Sequence, residues 1–276
     1  MENNSAASSA EAFPPGTFAP RPRQASGWTM AAAQGATEAK LMLRHGEQLL
    51  LSIIIPLAIL FGTAKLPMLA DAAGIQQIFP MVLAVATTSA GFTGEAISLA
   101  FDRRYGALKR TGASGVPTWT IIAGKILGVA AMVAVQVVLL TAAALFLGFH
   151  TSPAGFLLGA VTLFVGVAAF TALGLLLGGT LPAEVVLAVA NLIWFILLGV
   201  VGWVMYSQGL GHNDIANAVP TVALASGLDE AFASEVPWLP WLSLLAWAAG
   251  ASAAAVKWFR FDSSIHITCA QRLWGS

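Results

Sequence analysis

The chain has 276 residues, of which 58% are apolar and only 9% are charged. A soluble domain usually carries about 25% charged residues, so this composition excludes an ordinary soluble globular protein and indicates a membrane protein. Acidic and basic side chains are equal in number, but they are sorted along the chain. The net charge of zero therefore gives no information about partners. The single cysteine, Cys269, excludes an internal disulfide and a metal site built on thiolates.

The N-terminal region is rich in Ala, Ser, Pro and Gly and carries few charges, which predicts a disordered cytoplasmic tail over residues 1–27. No apolar core follows a basic start there, so the pattern is not that of a signal peptide. The stretch Trp28–Glu47 mixes apolar residues with Glu38 and Lys40. This mixture predicts an amphipathic helix that lies in the membrane interface before the first span.

Long stretches without Asp, Glu, Lys or Arg predict the membrane-spanning helices. Residues 126–183 are too many for one span, and the turn-like residues 148–155 divide them into two helices. The sequence therefore predicts an all-α membrane protein with six transmembrane helices, in the stretches Gln48–Ala64, Ala72–Gly94, two within Ile126–Ala183, Val185–Asn213 and Val236–Val256. We expect one transmembrane domain over residues 28–260 and a short cytoplasmic tail over residues 261–276.

Six spans place both termini on the same side of the membrane. With the N-terminus in the cytoplasm, every Lys and Arg except Lys65 lies on the cytoplasmic side, and such an excess identifies the inside. The outer segment Ser207–Glu235 is too long for a turn and too apolar for disorder. We expect short helices there that re-enter the outer leaflet before the sixth span.

Polar side chains occur at two notable places within the predicted spans. The second span ends in a run that contains Thr87, Thr88 and Thr93, and this run fits either helix packing or the lining of a transport path. Glu95 and Lys125 fall at a similar depth, roughly 10 Å inside the cytoplasmic boundary at 1.5 Å per residue. They form a candidate intramembrane ion pair, although each side chain is also long enough to reach the headgroups separately.

Motifs for catalysis and nucleotide binding are missing or misplaced. Residues 112–115 read Gly-Ala-Ser-Gly, the form of an intramembrane serine-protease motif, but the candidate bases His150 and His212 are predicted on the opposite side of the membrane. The four histidines show no metal-ligand spacing. No G-x-x-x-x-G-K-[ST] phosphate loop is present, so we expect a chain that is not an enzyme and does not itself bind ATP.

The segment Asp102–Arg110 concentrates charge in one predicted cytoplasmic loop and leads into the third span. In order, the sequence carries Asp102-Arg103-Arg104-Tyr105-Gly106-Ala107-Leu108, then Ser114 and Pro117, then Gly124-Lys125-Ile126. This order resembles the ABC-2 family of ATP-binding-cassette transporter permeases, which carry an acidic-Arg-x-x-Gly-x-Leu run, a Ser/Thr and Pro, and a Gly-Lys-aliphatic start. The six-span plan, the interfacial helix and the re-entrant outer segment are similar too. Arg104 and Ala107 depart from the family pattern, in which an acidic residue and a threonine are frequent.

The resemblance implies the permease subunit of an ABC exporter, a multi-pass protein of the plasma membrane. It implies a homo- or heterodimer with a second permease chain among membrane lipids, and no nucleic-acid partner. A separate ABC ATPase subunit would hold ATP and Mg, so no cofactor or metal is expected on this chain. The loop would be the coupling helix that contacts this ATPase, through Arg103, Arg104, Tyr105, Gly106, Leu108, Lys109 and Arg110.

The resemblance also implies a substrate path enclosed by spans one, two and five of two chains. An amphipathic or hydrophobic substrate suits the aromatic and hydroxyl side chains, and the candidate lining residues are Thr87, Thr88, Thr93, Asn191 and Trp194. Two other functions stay open on the sequence. One is an ATP-independent secondary transporter, although nothing ionisable lies near the predicted bilayer midplane, and the other is a membrane scaffold protein. Positive-inside topology alone would also produce the basic run.

Overall fold

The computed structural model describes residues 25–44, 46–65, 74–107, 116–211 and 215–258. Within these ranges the chain is almost entirely helical and contains no strand, which agrees with the predicted all-α class. The C-terminal tail, most of the N-terminal tail and three predicted coupling residues lie outside the described residues; the three are Leu108, Lys109 and Arg110.

The helices follow one another with short connections. The longest run is continuous, because a π-helical turn joins two α-helices without a break. In chain order the elements are α1 (Gly27–Arg44), α2 (Gly46–Lys65), α3 (Ile75–Thr88), the π-turn (Ser89–Gly94), α4 (Glu95–Arg104), α5 (Thr118–Phe146), α6 (Pro153–Thr180), α7 (Ala183–Gln208), a 3-10 turn (Ala216–Ala218), α8 (Pro220–Phe232) and α9 (Trp238–Trp258).

Among the described residues, four helical segments are long and apolar enough to cross a membrane. They correspond to the second, third, fourth and fifth predicted spans, and are Ile75–Arg104, Trp119–Phe146, Pro153–Thr180 and Ala183–Gln208. The helices α2 and α9 stand where the first and sixth spans are predicted, but neither is among these four segments. The helix of the second predicted span also runs ten residues past the predicted end at Gly94, because Ala96, Leu99 and Ala100 in the added turns are buried against the rest of the protein.

Proline and a capping serine mark where the helices begin. Pro153 occupies the first turn of α6, and the Ser152 side chain accepts a hydrogen bond of 2.9 Å from the backbone N–H of Gly155. Pro220 opens α8 in the same way. Proline suits these positions because the first-turn N–H groups have no partner within the helix, so the sequence itself divides the long apolar stretch.

Helix α8 lies in the centre of the packed helices and contacts α3, α6 and α9. Eleven of its 13 residues are buried, and small residues on α6 allow the close approach; a Cβ at Gly166 would lie 2.7 Å from Leu224 Cδ1. The helix lies within residues 207–235, where the sequence predicts short helices. Because it contacts both α3 and α6, this helix helps to hold them together.

The π-turn packs closely against α6. A Cβ at Gly174 would lie 2.8 Å from the carbonyl oxygen of Gly91, and a Cβ at Gly178 would overlap the carbonyl oxygen of Ala96. The two glycines, four residues apart on one helix face, therefore bring α6 against the backbone of the helix that carries Glu95 and Asp102. This packing places the end of α4 beside the end of α6.

Candidate functional site

Lys125 is the centre of a buried charge cluster formed with Glu38, Glu95 and Asp102. Its Nζ lies 2.9 Å from Glu95 Oε1, 3.3 Å from Glu38 Oε1 and 3.4 Å from Asp102 Oδ2. The Lys125 side chain is 2% exposed and that of Glu95 is 0% exposed. One ammonium therefore joins α1, α4 and α5 through three carboxylates, and the structure brings together the predicted pair Glu95 and Lys125.

Glycines allow α1 to come close enough to deliver Glu38 to this cluster. A Cβ at Gly128 of α5 would lie 2.6 Å from Glu38 Cβ, and a Cβ at Gly35 of α1 would lie 2.8 Å from Leu127 Cβ. Gln34, one turn before Glu38, donates a hydrogen bond of 3.0 Å from Nε2 to Glu38 Oε1. The predicted interfacial helix is thus tied to α5 by backbone proximity and by charge.

Three consecutive residues at the end of α4 contact three different elements. Asp102 reaches Lys125 on α5. Arg103 Nη1 donates to the carbonyl oxygens of Gly178, at 2.7 Å, and Leu181, at 3.1 Å, at the end of α6. Arg104 forms an ion pair with Glu184 in the first turn of α7. We call this end of the helices, where α4 and α6 end and α5 and α7 begin, the loop end.

The chain leaves α4 at Tyr105 and Gly106. Gly106 has φ of +71°, a left-handed conformation that glycine adopts without steric cost and that commonly ends a helix. The Tyr105 ring is 66% exposed and stacks on Phe101 with ring centroids 6.0 Å apart. An exposed aromatic side chain therefore stands at the point where the predicted coupling loop begins.

Arg103 does not stand at the surface, where the sequence-based prediction of an ATPase contact would place it. Its side chain is buried, with 5% of the residue exposed, whereas Arg104 and Tyr105 are exposed. The physical reason is the pair of carbonyl oxygens at the end of α6, which draw the guanidinium inward. The structure therefore separates the predicted contact residues into one that points into the protein and two that point out.

The candidate path residues also fall into two groups. Thr87, Thr88 and Thr93 are buried within the chain, and Thr88 Oγ1 donates to Ala84 O at 2.7 Å. Asn191 is exposed on α7, and its Nδ2 donates to its own helix, at Leu187 O. Trp194 is half-buried and packs against Phe195, with ring centroids 5.0 Å apart. The threonines thus serve helix packing in this conformation, and their place in a path stays a prediction.

Sequence reasoning missed Glu38, Asp102 and Glu184 as members of these contacts. Each is one of few acidic residues in a largely apolar chain. Charged side chains in membrane proteins usually pair with one another, so this scarcity was the available signal that each acidic residue pairs with a Lys or Arg. Among residues that the structure describes, no three side chains of His, Cys, Asp or Glu come together as a candidate metal site.

The comparisons with known proteins match the chain to one family. The family model described as ABC-2 type transporter matches residues 34–212, which is more than half of the 276 residues. The matched range includes the charge cluster and the whole loop end. No curated protein and no solved structure matches the chain. On the family match, and with four helices fit to span a bilayer, the chain belongs to the ABC-2 type transporter family and is an integral membrane protein.

Proposed function

We propose that this chain is the permease subunit of an ABC exporter. It moves an amphipathic or hydrophobic substrate across the plasma membrane with energy from ATP that a separate ATPase subunit hydrolyses. The family match supports a permease, and the missing phosphate loop supports an ATPase on another chain, which would carry the ATP and Mg. The observation that carries the proposal is the loop end, where the start of the loop is exposed and its base is tied to α5, α6 and α7.

The ATPase would dock on the loop that follows α4. Tyr105 offers an exposed aromatic anchor, the kind of residue that often carries interface energy. Arg104 adds positive charge beside it, with its Cζ 6.0 Å from the Tyr105 ring centroid, and charged neighbours favour docking register and association rate. The loop residues Leu108, Lys109 and Arg110 complete the proposed contact.

A second permease chain would pack on α7. Only 17% of the most apolar stretch of α7 is buried within the chain, so α7 needs lipid or protein around it. The exposed face carries both large apolar side chains and glycines with open space above them, among them Leu192, Phe195, Ile196, Gly199 and Trp203. Exposed Asn191 on the same helix favours protein over lipid, because its amide can make further hydrogen bonds besides the one to Leu187 O.

We further propose that α2 and α9 complete a six-span topology with both termini in the cytoplasm. Helix α9 has 21 residues and tryptophans at both ends, Trp238 and Trp258. At 1.5 Å per residue they lie roughly 30 Å apart, which matches the separation of the two aromatic belts of a membrane. Lys257 beside Trp258 agrees with a cytoplasmic end.

Purification of the full chain with its native partners tests this function. We expect an ABC ATPase to co-purify, and inverted vesicles to accumulate fluorescent amphipathic dyes when ATP is added. Dye transport that continues in ATP-depleted vesicles without any ATPase would show a secondary transporter. A function that survives inactivation of the ATPase catalytic site would show a scaffold, and either result would refute the proposal.

A further inference from the structure

We propose that Arg103 is a positioning residue for ATP-driven switching. It does not touch the ATPase; it joins the coupling loop to the junction between α6 and α7, so that movement of the loop reaches α7. This inference rests on the proposed function and goes beyond it, because it assigns to a motif arginine an inward role in place of a docking role.

Pro182 explains why the guanidinium points inward. In a continuous helix the carbonyl oxygen of Gly178 would accept a hydrogen bond from the N–H of residue 182, four positions later. Proline has no N–H, and the last helical bond of α6 runs from Leu181 N to Leu177 O. The carbonyl of Gly178 is therefore left without a backbone donor, and Arg103 Nη1 supplies one at 2.7 Å.

The electrostatic setting strengthens this contact. The carbonyl end of a helix carries partial negative charge, and a cation placed there is stabilised. Arg103 donates to two carbonyl oxygens at that end, those of Gly178 and Leu181, and its burial reduces screening by solvent. Removal of the guanidinium therefore leaves the buried carbonyl oxygen of Gly178 without its donor.

The two carbonyl groups lie at the junction between α6 and α7, so the Arg103 contact acts on that junction. Helix α6 ends at Thr180 and α7 begins at Ala183, so Arg103 holds the short hinge between the two helices. The neighbouring link from Arg104 to Glu184 reaches the same hinge, but its side chains are 48% and 65% exposed. Exposed ion pairs contribute little, so the buried Arg103 contact is the main mechanical connection from loop to hinge.

A single reporter cysteine far from the loop end measures whether movement is transmitted. Ser226 lies in α8, is 2% exposed, and accepts from the backbone N–H of Gly211, which follows the far end of α7. The parent protein carries Ser226→Cys together with Cys269→Ser, which removes the only native cysteine. Its complex with the co-purified ATPase is labelled with a maleimide, with and without ATP and vanadate.

Three variants are compared in this parent: Arg103→Gln, Arg103→Lys and, as the control, Lys40→Gln, which removes an exposed cation on α1. We expect nucleotide to change the labelling rate of the parent and of the control. In Arg103→Gln the ATPase stays bound and hydrolyses ATP, but the nucleotide response falls about five- to tenfold, within the range for residues that couple two sites. Arg103→Lys keeps part of the response, because an ammonium still donates to a carbonyl.

Each result decides the proposal. If Arg103→Gln keeps its ATPase and shows the same nucleotide-dependent change in labelling rate as the parent, the proposal is overturned. Loss of the ATPase from Arg103→Gln while its thermal stability is unchanged also overturns it, because Arg103 would then be a docking residue. If Arg103→Gln does not fold, Arg103→Lys decides, and an undiminished response there overturns the proposal. Failure of the parent to bind any ATPase would instead refute the proposed function itself.

Discussion

The ammonium of Lys125 lies 2.9 Å from a carboxylate oxygen of Glu95, and both side chains are sealed from solvent. Removal of one partner from a buried ion pair leaves an uncompensated charge and costs about 3–5 kcal/mol. We expect Lys125→Met to lower the thermal stability of the purified protein strongly, because Glu38 and Glu95 would then lose their cation. The measurement is the loss of the monodisperse peak in fluorescence-detected size exclusion after heating.

Two further variants make this prediction specific. Lys40→Met, at an exposed position on α1, removes the same charge without a buried partner and should leave stability unchanged. Glu95→Gln combined with Lys125→Met should recover part of the loss, because the double variant buries fewer unpaired charges. Equal stability of Lys125→Met and the unchanged protein would show that the cluster does not hold the helices together.

The contact between α6 and the start of α4 predicts that Gly178 tolerates no side chain. We expect Gly178→Ala to destabilise the protein, because the added Cβ would overlap the carbonyl oxygen of Ala96, and a backbone atom cannot rotate away. Gly250→Ala in α9 is the control, since nothing lies within 4 Å of a Cβ there, and alanine favours a helix over glycine. Thermal unfolding of the two variants side by side measures the difference, and equal midpoints would contradict it.

Sequence reasoning reached the helical class and the candidate pair of Glu95 and Lys125, because apolar length and depth along a helix can be counted. It did not reach the direction of the Arg103 side chain. That direction depends on Pro182, far away in the chain, which leaves a carbonyl oxygen without a donor. Depth alone also could not reveal that Glu38 of α1 joins the cluster, because this contact requires glycines on two helices to meet.

The exposed ring of Tyr105 predicts a docking residue for the ATPase. We expect Tyr105→Asp to weaken co-purification of the ATPase about tenfold or more, as loss of an aromatic anchor of at least 1.4 kcal/mol would do. The control is Ile215→Asp, which is 86% exposed and follows α7 at the end opposite the loop end. Both variants should elute as folded protein, and equal recovery of the ATPase would count against a docking role for Tyr105.

The exposed face of α7 predicts where a second permease chain packs. In a Cys269→Ser background we expect Phe195→Cys to form a covalent dimer with a short bis-maleimide in native membranes, because Phe195 is 63% exposed on this helix. Leu157→Cys on α6 is the matched control, being apolar and 70% exposed, and should stay monomeric. The covalent dimer is detected by its mobility on a denaturing gel under reducing conditions. Crosslinking at Leu157 and none at Phe195 would place the partner on α6, whereas a dimer at Phe195 alone would assign the exposed α7 face to the second chain.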